Sequence, residues 1–480
     1  VYPQARLTPE LQLPMALQEG WSAEDALLEV LRARLTGFGP RTQRQMVEDL
    51  GLPAADIAFA LAGLEREGYV LRGRFSPDAG EEEWCERHLL ARIHRYTVRR
   101  LRREIEPVER ADFMRFLFDW QRVSKSSQVR GAEALAGVLS QLEGFQAAAG
   151  AWESELLPAR VADYGINWLD DLCRAGRLVW ARLPSRATLR GRSGGGPLRS
   201  TPIVLLPRRE LPLWGALCAD APEAELSSKA QKVLQALQTH GALFFDELSS
   251  EAHLLRSELE MALGELVAVG RVNADSFAGL RALLLPAAKR SRQERRARTP
   301  LFGMADAGRW ALLRRPSVEL VEGQPPRLAA EVLEHVAMTL LRRYGVVCWR
   351  LLAREADWLP PWRDLLRVYH RLEARGEIRG GRFVAGLTGE QFALPEAVGL
   401  LREVRRREKD GEYVVLSAVD PLNLAGTLLP GSKVPAVLGN RVIYRDGAAL
   451  GALIAGKPVL WVELPREEEA RVRELLMRRI

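Results

Sequence analysis

Residues 42–75 read TQRQMVEDLGLPAADIAFALAGLEREGYVLRGRF. Two helical patterns, Thr42 to Leu50 and Ala54 to Glu67, flank Gly51-Leu52-Pro53, which ends one helix and starts the next. Gly68 stands where a helix closes in the left-handed conformation that a Cβ disfavours. Val70 then opens a strand-like run. The same signature (Leu, three residues, Gly, one residue, aliphatic) occurs four times, as Leu64-Gly68-Val70, Leu172-Gly176-Leu178, Leu266-Gly270-Val272 and Leu372-Gly376-Ile378. An earlier glycine lies upstream of each: Gly39, Gly144, Gly241 and Gly345. A leading helical pattern precedes the pair, as in Ala23 to Leu35, Lys229 to Thr239 and Arg327 to Arg343. Short runs follow each closing glycine: YVLRGRF, RLVWARL, RVNADSF then LRALLL, and EIRGGRF then FVAGL. Three helices and a two-stranded wing make a winged helix. Repetition at this spacing predicts a tandem array.

Glu83 to Val123, EWCERHLLARIHRYTVRRLRREIEPVERADFMRFLFDWQRV, interrupts the array. Its first half reads as one helix ended near Pro107. Leu90, Ile93, Thr97, Leu101 and Ile105 form a face expected to dock into a core. Arg92, Arg95, Arg99, Arg102 and Arg103 follow the same period on the other side. The second half restarts with Asp112 as N-cap and buries Phe113, Phe116, Leu117 and Trp120.

The 480 residues exceed what one core organises, so several modules are expected. A formal charge of +7, carried mostly by arginine, is a mild bias toward polyanions. Cys85, Cys173, Cys218 and Cys348 show no C-x-x-C spacing, which argues against disulfides and a zinc site and for a reducing cytoplasm. His88 and His94 lack a third ligand at metal spacing. No run approaches membrane-spanning length, and a start at Val1 is expected of a piece cut from a longer chain. Ser185 to Pro207, Lys289 to Arg298, Val321 to Pro326 and Arg402 to Asp410 read as linkers. Tyr413 to Leu464 is rich in β-formers, with an Asp446-Gly447 hairpin signal. A small barrel or sheet, closed by a helix at Glu467 to Met477, is expected there.

The fold class is therefore α+β, mostly helical: tandem winged helices with a C-terminal β-barrel-like module. The expected divisions are a first winged helix (1–80), the basic helical segment (81–130), a second winged helix (131–207), a third with its basic linker (208–298), a fourth (299–410) and the β-rich module (411–480).

A winged helix that grips phosphate needs cationic or amide side chains on its last helix. The first copy offers Asp56, Glu65, Arg66 and Glu67, the second Asp170, Asp171 and Arg174, the third Arg256, Glu258, Glu260 and Glu265. These faces repel phosphate and read as scaffold. The fourth carries Arg363, Arg367, His370, Arg371, Arg375, Arg379 and Arg382, and is the copy expected to hold nucleic acid, with the Arg92 to Arg103 stripe as a second surface.

The Glu83 to Val123 stretch resembles the helicase-associated segment of bacterial Lhr, the large helicase-related proteins of superfamily 2. GFQAAAGAWESELLPARVADY, GRWALLRR and VDPLNLAGTLLPGSKVPAVLGNRVIYRDG resemble the C-terminal half of long Lhr chains, and the likeness covers nearly the whole sequence. The resemblance implies part of an ATP-driven DNA repair helicase: tandem winged helices plus a β-rich module that brings protomers together. Single-stranded or tailed DNA, the N-terminal helicase core of the same polypeptide and further copies of the chain are its implied partners. No G-x-x-x-x-G-K-[ST] and no DEAH-type motif occurs, so no cofactor is expected in this chain; ATP and Mg²⁺ belong to the motor domains.

Two rival readings come from other classes. One is a purely structural oligomerisation scaffold. The other is a DNA glycosylase, because winged-helix arrays with a strand followed by Asp-Pro are similar to the winged-helix DNA glycosylases. Asp420, delivered by VVLSAV and fixed by Pro421, is the carboxylate expected to act beside the sugar of an extruded uracil or other damaged base. That family's glutamine pair is not recognisable here.

Overall fold

Gly68, Gly176, Gly270 and Gly376 all take positive φ, between 69° and 78°. Each closes the last helix of a winged-helix module. The computed structural model describes residues 1–2, 20–77, 79–103, 105–183, 198–218, 225–284, 304–313 and 328–478. The chain forms two compact units, Val1–Glu104 and Ile105–Ile480. The boundary falls inside the segment that the sequence presents as one basic helical piece.

The first unit holds one module, with helices Ala23–Gly37, Gln43–Leu50 and Ala54–Arg66. Thr42 starts its second helix through a capping box, accepting from the Gln45 N–H at 3.2 Å while Gln45 accepts from Thr42 at 3.0 Å. Leu31, Leu35, Ile57, Leu61 and Leu64 are fully buried between the helices. The other three modules lie in the second unit. Their first and last helices are Ala132–Gln141 and Ile166–Arg174, Ser228–His240 and Arg256–Ala268, and Ala330–Tyr344 and Trp362–Ala374.

Every module has a three-stranded antiparallel sheet in which the last strand in sequence lies in the middle. That central strand departs from the simple hairpins expected. In the first module it is Glu83–Glu86, with Trp84 opposite both Arg41 and Arg72, so EWCE is strand and not helix. In the second it is Pro202–Pro207, within the expected linker, and in the third Arg309–Leu312. The fourth uses Gln391–Ala393. LRALLL is not a strand either: Phe277–Leu284 is a helix whose first seven residues are all buried. A short apolar run does not by itself separate buried strand from buried helix. The Lys289 to Arg298 and Val321 to Pro326 linkers lie outside the described residues.

Within the second unit, the helix Arg110–Trp120 packs against Pro395–Arg406. Glu109, not Asp112, holds its N-cap position; Asp112 sits in the first turn, 3.2 Å from Arg115. Ile105 belongs to this unit and occupies the space that a side chain at Gly381 would fill. One core joins the Arg110–Trp120 helix, the fourth module and the C-terminal sheet. A second joins the second and third modules.

The C-terminal module is an open sheet, not a closed barrel. Its strands Tyr413–Ser417, Arg441–Arg445, Ala448–Ile454 and Lys457–Leu460 pair in sequence order, which leaves the first and last as edges. Four strands are too few to curl into a ring. The helix Arg466–Met477 covers one face through Val472 and Leu476, against Ile443, Leu450 and Leu453. Asp446 and Gly447 turn the hairpin at φ of 48° and 77°. No helix among the described residues is long and apolar enough to cross a membrane.

Candidate nucleic-acid interface

The helix Trp362–Ala374 buries Leu365, Val368, Tyr369 and Leu372 on one face. Tyr369 stacks on Phe392 of the central strand, with ring centroids 5.2 Å apart. That packing fixes the helix roll and turns Arg363, Arg367 and Arg371 outward. Spaced by four, they line one face. The Arg363 and Arg367 side chains are 81% and 77% exposed, with Asp364 at 3.8 and 3.3 Å as their near acidic neighbour. Arg379 and Arg382 are exposed on the wing. Arg375 differs from the rest. Glu334 lies 2.6 Å and Glu377 2.5 Å from its guanidinium, and the Glu334 hydrogen bond chiefly holds its pKa above the ordinary value. It ties the helix end to the module before it meets any ligand.

The second module shows the other outcome. Asp170 on its last helix is buried, not an exposed acid. It accepts the Ala278 N–H at 2.7 Å and pairs with Arg281 at 3.1 Å, and Arg281 also holds Glu153 at 2.7 Å. Burial pushes the Arg281 pKa down, but Glu153 and Asp170 outweigh it and raise it. This helix is docked on Phe277–Leu284.

In the first unit, Arg87–Arg103 forms the basic helix. The Glu86 carboxylate starts it by accepting the N–H groups of His88 and Leu89, at 2.8 and 2.6 Å. Most of the face expected to dock into a core stays open, with Ile93 37% exposed and Leu101 43%, and only Ile105 packs into a core. A stripe broken by Thr97 and bordered by arginine is too narrow for a core-facing helix. Arg92, Arg95 and Arg99 line a groove of about 420 Å³ with Leu89, Ile93 and Tyr96. Arg102 is half-buried, and the Arg103 side chain lies outside the described residues.

Asp420 is 1% exposed. Its two oxygens accept from Arg160 at 2.7 and 3.0 Å, and one also accepts the Leu422 N–H at 2.9 Å. Arg160, itself fully buried, donates to Gln121 at 2.8 Å as well. Arg354 donates to the Ala418 and Asp420 carbonyls at 3.1 and 2.9 Å. So placed, Asp420 ties the C-terminal module to the second and fourth. The carboxylate expected to face a site is buried here and paired with Arg160. Arg160 lies far off in sequence and has no local signal.

The family description "Large helicase-related protein, winged-helix domain" matches the chain twice, at residues 108–208 and 326–413. The protein "Lhr helicase/probable uracil glycosylase" of Mycolicibacterium smegmatis is 29% identical over 466 residues, covering 92% of this chain and 29% of its own length. "Lhr helicase/uracil glycosylase" of Escherichia coli is 28% identical over 507 residues, covering 95% of this chain and 31% of its own. Over nearly its whole length the chain is similar to large helicase-related proteins. It corresponds to part of the C-terminal region of Lhr and spans about three-tenths of the length of these relatives. The first matched Lhr domain takes in the Arg110–Trp120 helix together with the second module. The second takes in the fourth module and the Pro395–Arg406 helix. The two helices that pack together thus come from two different Lhr winged-helix domains.

Proposed function

We propose that this chain is a nucleic-acid-engaging winged-helix region that serves an Lhr helicase motor and itself neither hydrolyses ATP nor unwinds DNA. The observation that carries this is the exposed row Arg363, Arg367 and Arg371 on the one described last helix of the second unit that is both basic and open. Arg379 and Arg382 extend the row onto the wing, and Arg92, Arg95 and Arg99 give a separate basic surface in the first unit. Both fit a polyanion met through its backbone, so binding is indifferent to sequence and falls steeply with salt. Single-stranded or tailed DNA is the proposed ligand, and the helicase core of the longer polypeptide the proposed partner. The test is anisotropy titration of a labelled strand at two salt concentrations with the wild type and the Arg367→Ala/Arg371→Ala variant. Equal affinity and equal salt slope in both, with the fold intact, sinks the reading.

Self-association into a closed homo-oligomer is part of the proposal, and light scattering across the micromolar range tests it. A second reading, base excision, is supported by the names of both relatives, which pair helicase with uracil glycosylase. It is tested by alkali-sensitive cleavage of a uracil-containing strand. Loss of cleavage in Asp420→Asn, with unchanged thermal stability, is the outcome that makes Asp420 the acting group.

A further inference from the structure

Trp349 is a large aromatic side chain left 45% exposed on the fourth module. It stands directly after the strand Val346–Cys348 and opens the turn Trp349–Arg354. Its indole N–H donates to the Thr388 carbonyl at 3.0 Å, so the ring's polar edge is satisfied and its orientation fixed. The wing passes beside it at Gly389, where φ is +89° and an added Cβ would stand 3.1 Å from the indole Cδ1. Here the wing narrows to a glycine and the ring stays partly exposed. The next residue, Glu390, meets His370 at 3.1 Å. His370 adjoins Arg371 on the exposed helix and lies one turn from Arg367. Wing contacts therefore lead from the indole to the arginine row in a few residues. The Arg350 guanidinium lies over one face of the indole, 5.4 Å from its centroid, and adds positive charge there, leaving the other face for a base.

An exposed indole costs solubility unless something covers it, and a held ring loses little entropy when covered. The surroundings select the cover. An apolar protein surface leaves the nearby arginines unmatched, whereas a nucleic acid supplies phosphates for them and a flat base for the ring. In a duplex both faces of a base are already stacked, so the base must be unpaired. We propose that Trp349 is a stacking platform for an unpaired nucleobase of the strand that the arginine row holds by its phosphates. This rests on the nucleic-acid reading of the fourth module given above.

The two contributions separate by salt. Phosphate contacts release counterions and set the slope of affinity against salt, while stacking does not. The probes are a labelled oligothymidylate, the same length carrying abasic residues, and a blunt duplex. Trp349→Ala is expected to weaken oligothymidylate binding about tenfold with the salt slope unchanged, and Trp349→Phe to retain most of the affinity. Wild type is expected to bind the abasic strand about as weakly as Trp349→Ala binds either strand. Affinity of Trp349→Ala equal to wild type on oligothymidylate overturns the platform; if Arg367→Ala/Arg371→Ala still lowers affinity and slope, the surface itself stands. Unchanged binding in the arginine variant alongside weakened Trp349→Ala keeps the platform and moves the phosphate contacts elsewhere. No oligothymidylate binding by wild type overturns both. Thermal unfolding of each variant against wild type separates lost stacking from lost structure.

Discussion

The second and fourth modules share one sheet order and one closing-glycine geometry, yet their last helices meet different surroundings. Ile166–Arg174 is turned inward, with Asp170 held by Arg281 and Ala278 of the neighbouring module. Trp362–Ala374 is turned outward, with its arginines in solvent. The winged helix is thus a packing unit first. Whether its last helix is left open depends on whether another module covers it. Charge records the outcome: a buried acid with a cation of its own on one side, an open cationic row on the other.

The sharpest way to break this contrast is to remove a partner from the inward helix. Arg281→Ala leaves Asp170 and Glu153 uncompensated and is expected to destabilise the second unit by about 3–5 kcal/mol, read by urea unfolding. Arg367→Ala, on the outward helix, is expected to stay within about 0.5 kcal/mol. Similar losses in the two variants would erase the distinction. Next in size is binding: Arg367→Ala/Arg371→Ala is expected to lower the salt slope by roughly one per lost phosphate contact, uniformly across strand sequences.

A smaller effect belongs to the seam between the two modules. Glu143, after the first helix of the second module, meets His335 of the fourth at 2.6 Å and accepts from Trp214 at 2.8 Å. Burial pushes the Glu143 carboxyl up, but the His335 and Trp214 hydrogen bonds, with the charges of His335 and Arg342, outweigh it and hold it below 4.5. A carboxyl depressed by folding adds stability above its unfolded value, and that stability is lost as pH falls through the folded value. Stability of wild type should therefore drop below about pH 4.5 more than that of Glu143→Gln, as measured by unfolding at stepped pH. The smallest expected change is at Asp171, whose side chain is 69% exposed beside Arg174. Asp171→Lys should shift stability by no more than about 0.5 kcal/mol and create no strand binding, because its helix is already docked. New, salt-sensitive binding would show that charge alone, and not coverage, decides which module reads.

Much of this contrast was legible in the sequence, and the reasons are local. Gly68, Gly176, Gly270 and Gly376 announce helix ends because positive φ is a property of one residue. The arginine row of the fourth module is visible because helical spacing alone places its members together. What escaped notice depended on distant partners. Asp420 looks like the tip of a strand until Arg160 appears beside it. Asp170 looks like a surface acid until Arg281 closes on it. The basic helix of the first unit shows the converse: a periodic apolar face was present in the sequence, but its exposure was decided by what lies next to it. The barrel expected of the last module failed on strand number, since the Asp446-Gly447 turn fixes a hairpin but says nothing of closure.

The placement of each sheet's last strand in the middle bears on how the chain is made. In the third module the two outer strands, Leu243–Phe244 and Val272–Ala274, do not pair with each other and await Arg309–Leu312. A ribosome adds residues at about 5–20 per second. For that interval the nascent module has its helices but no sheet, with two strand edges unsatisfied. The second module waits in the same way for Pro202–Pro207. Translational pausing between Ala274 and Arg309 would prolong the vulnerable state, and a stop codon there would release a chain whose third module has no means of completing itself.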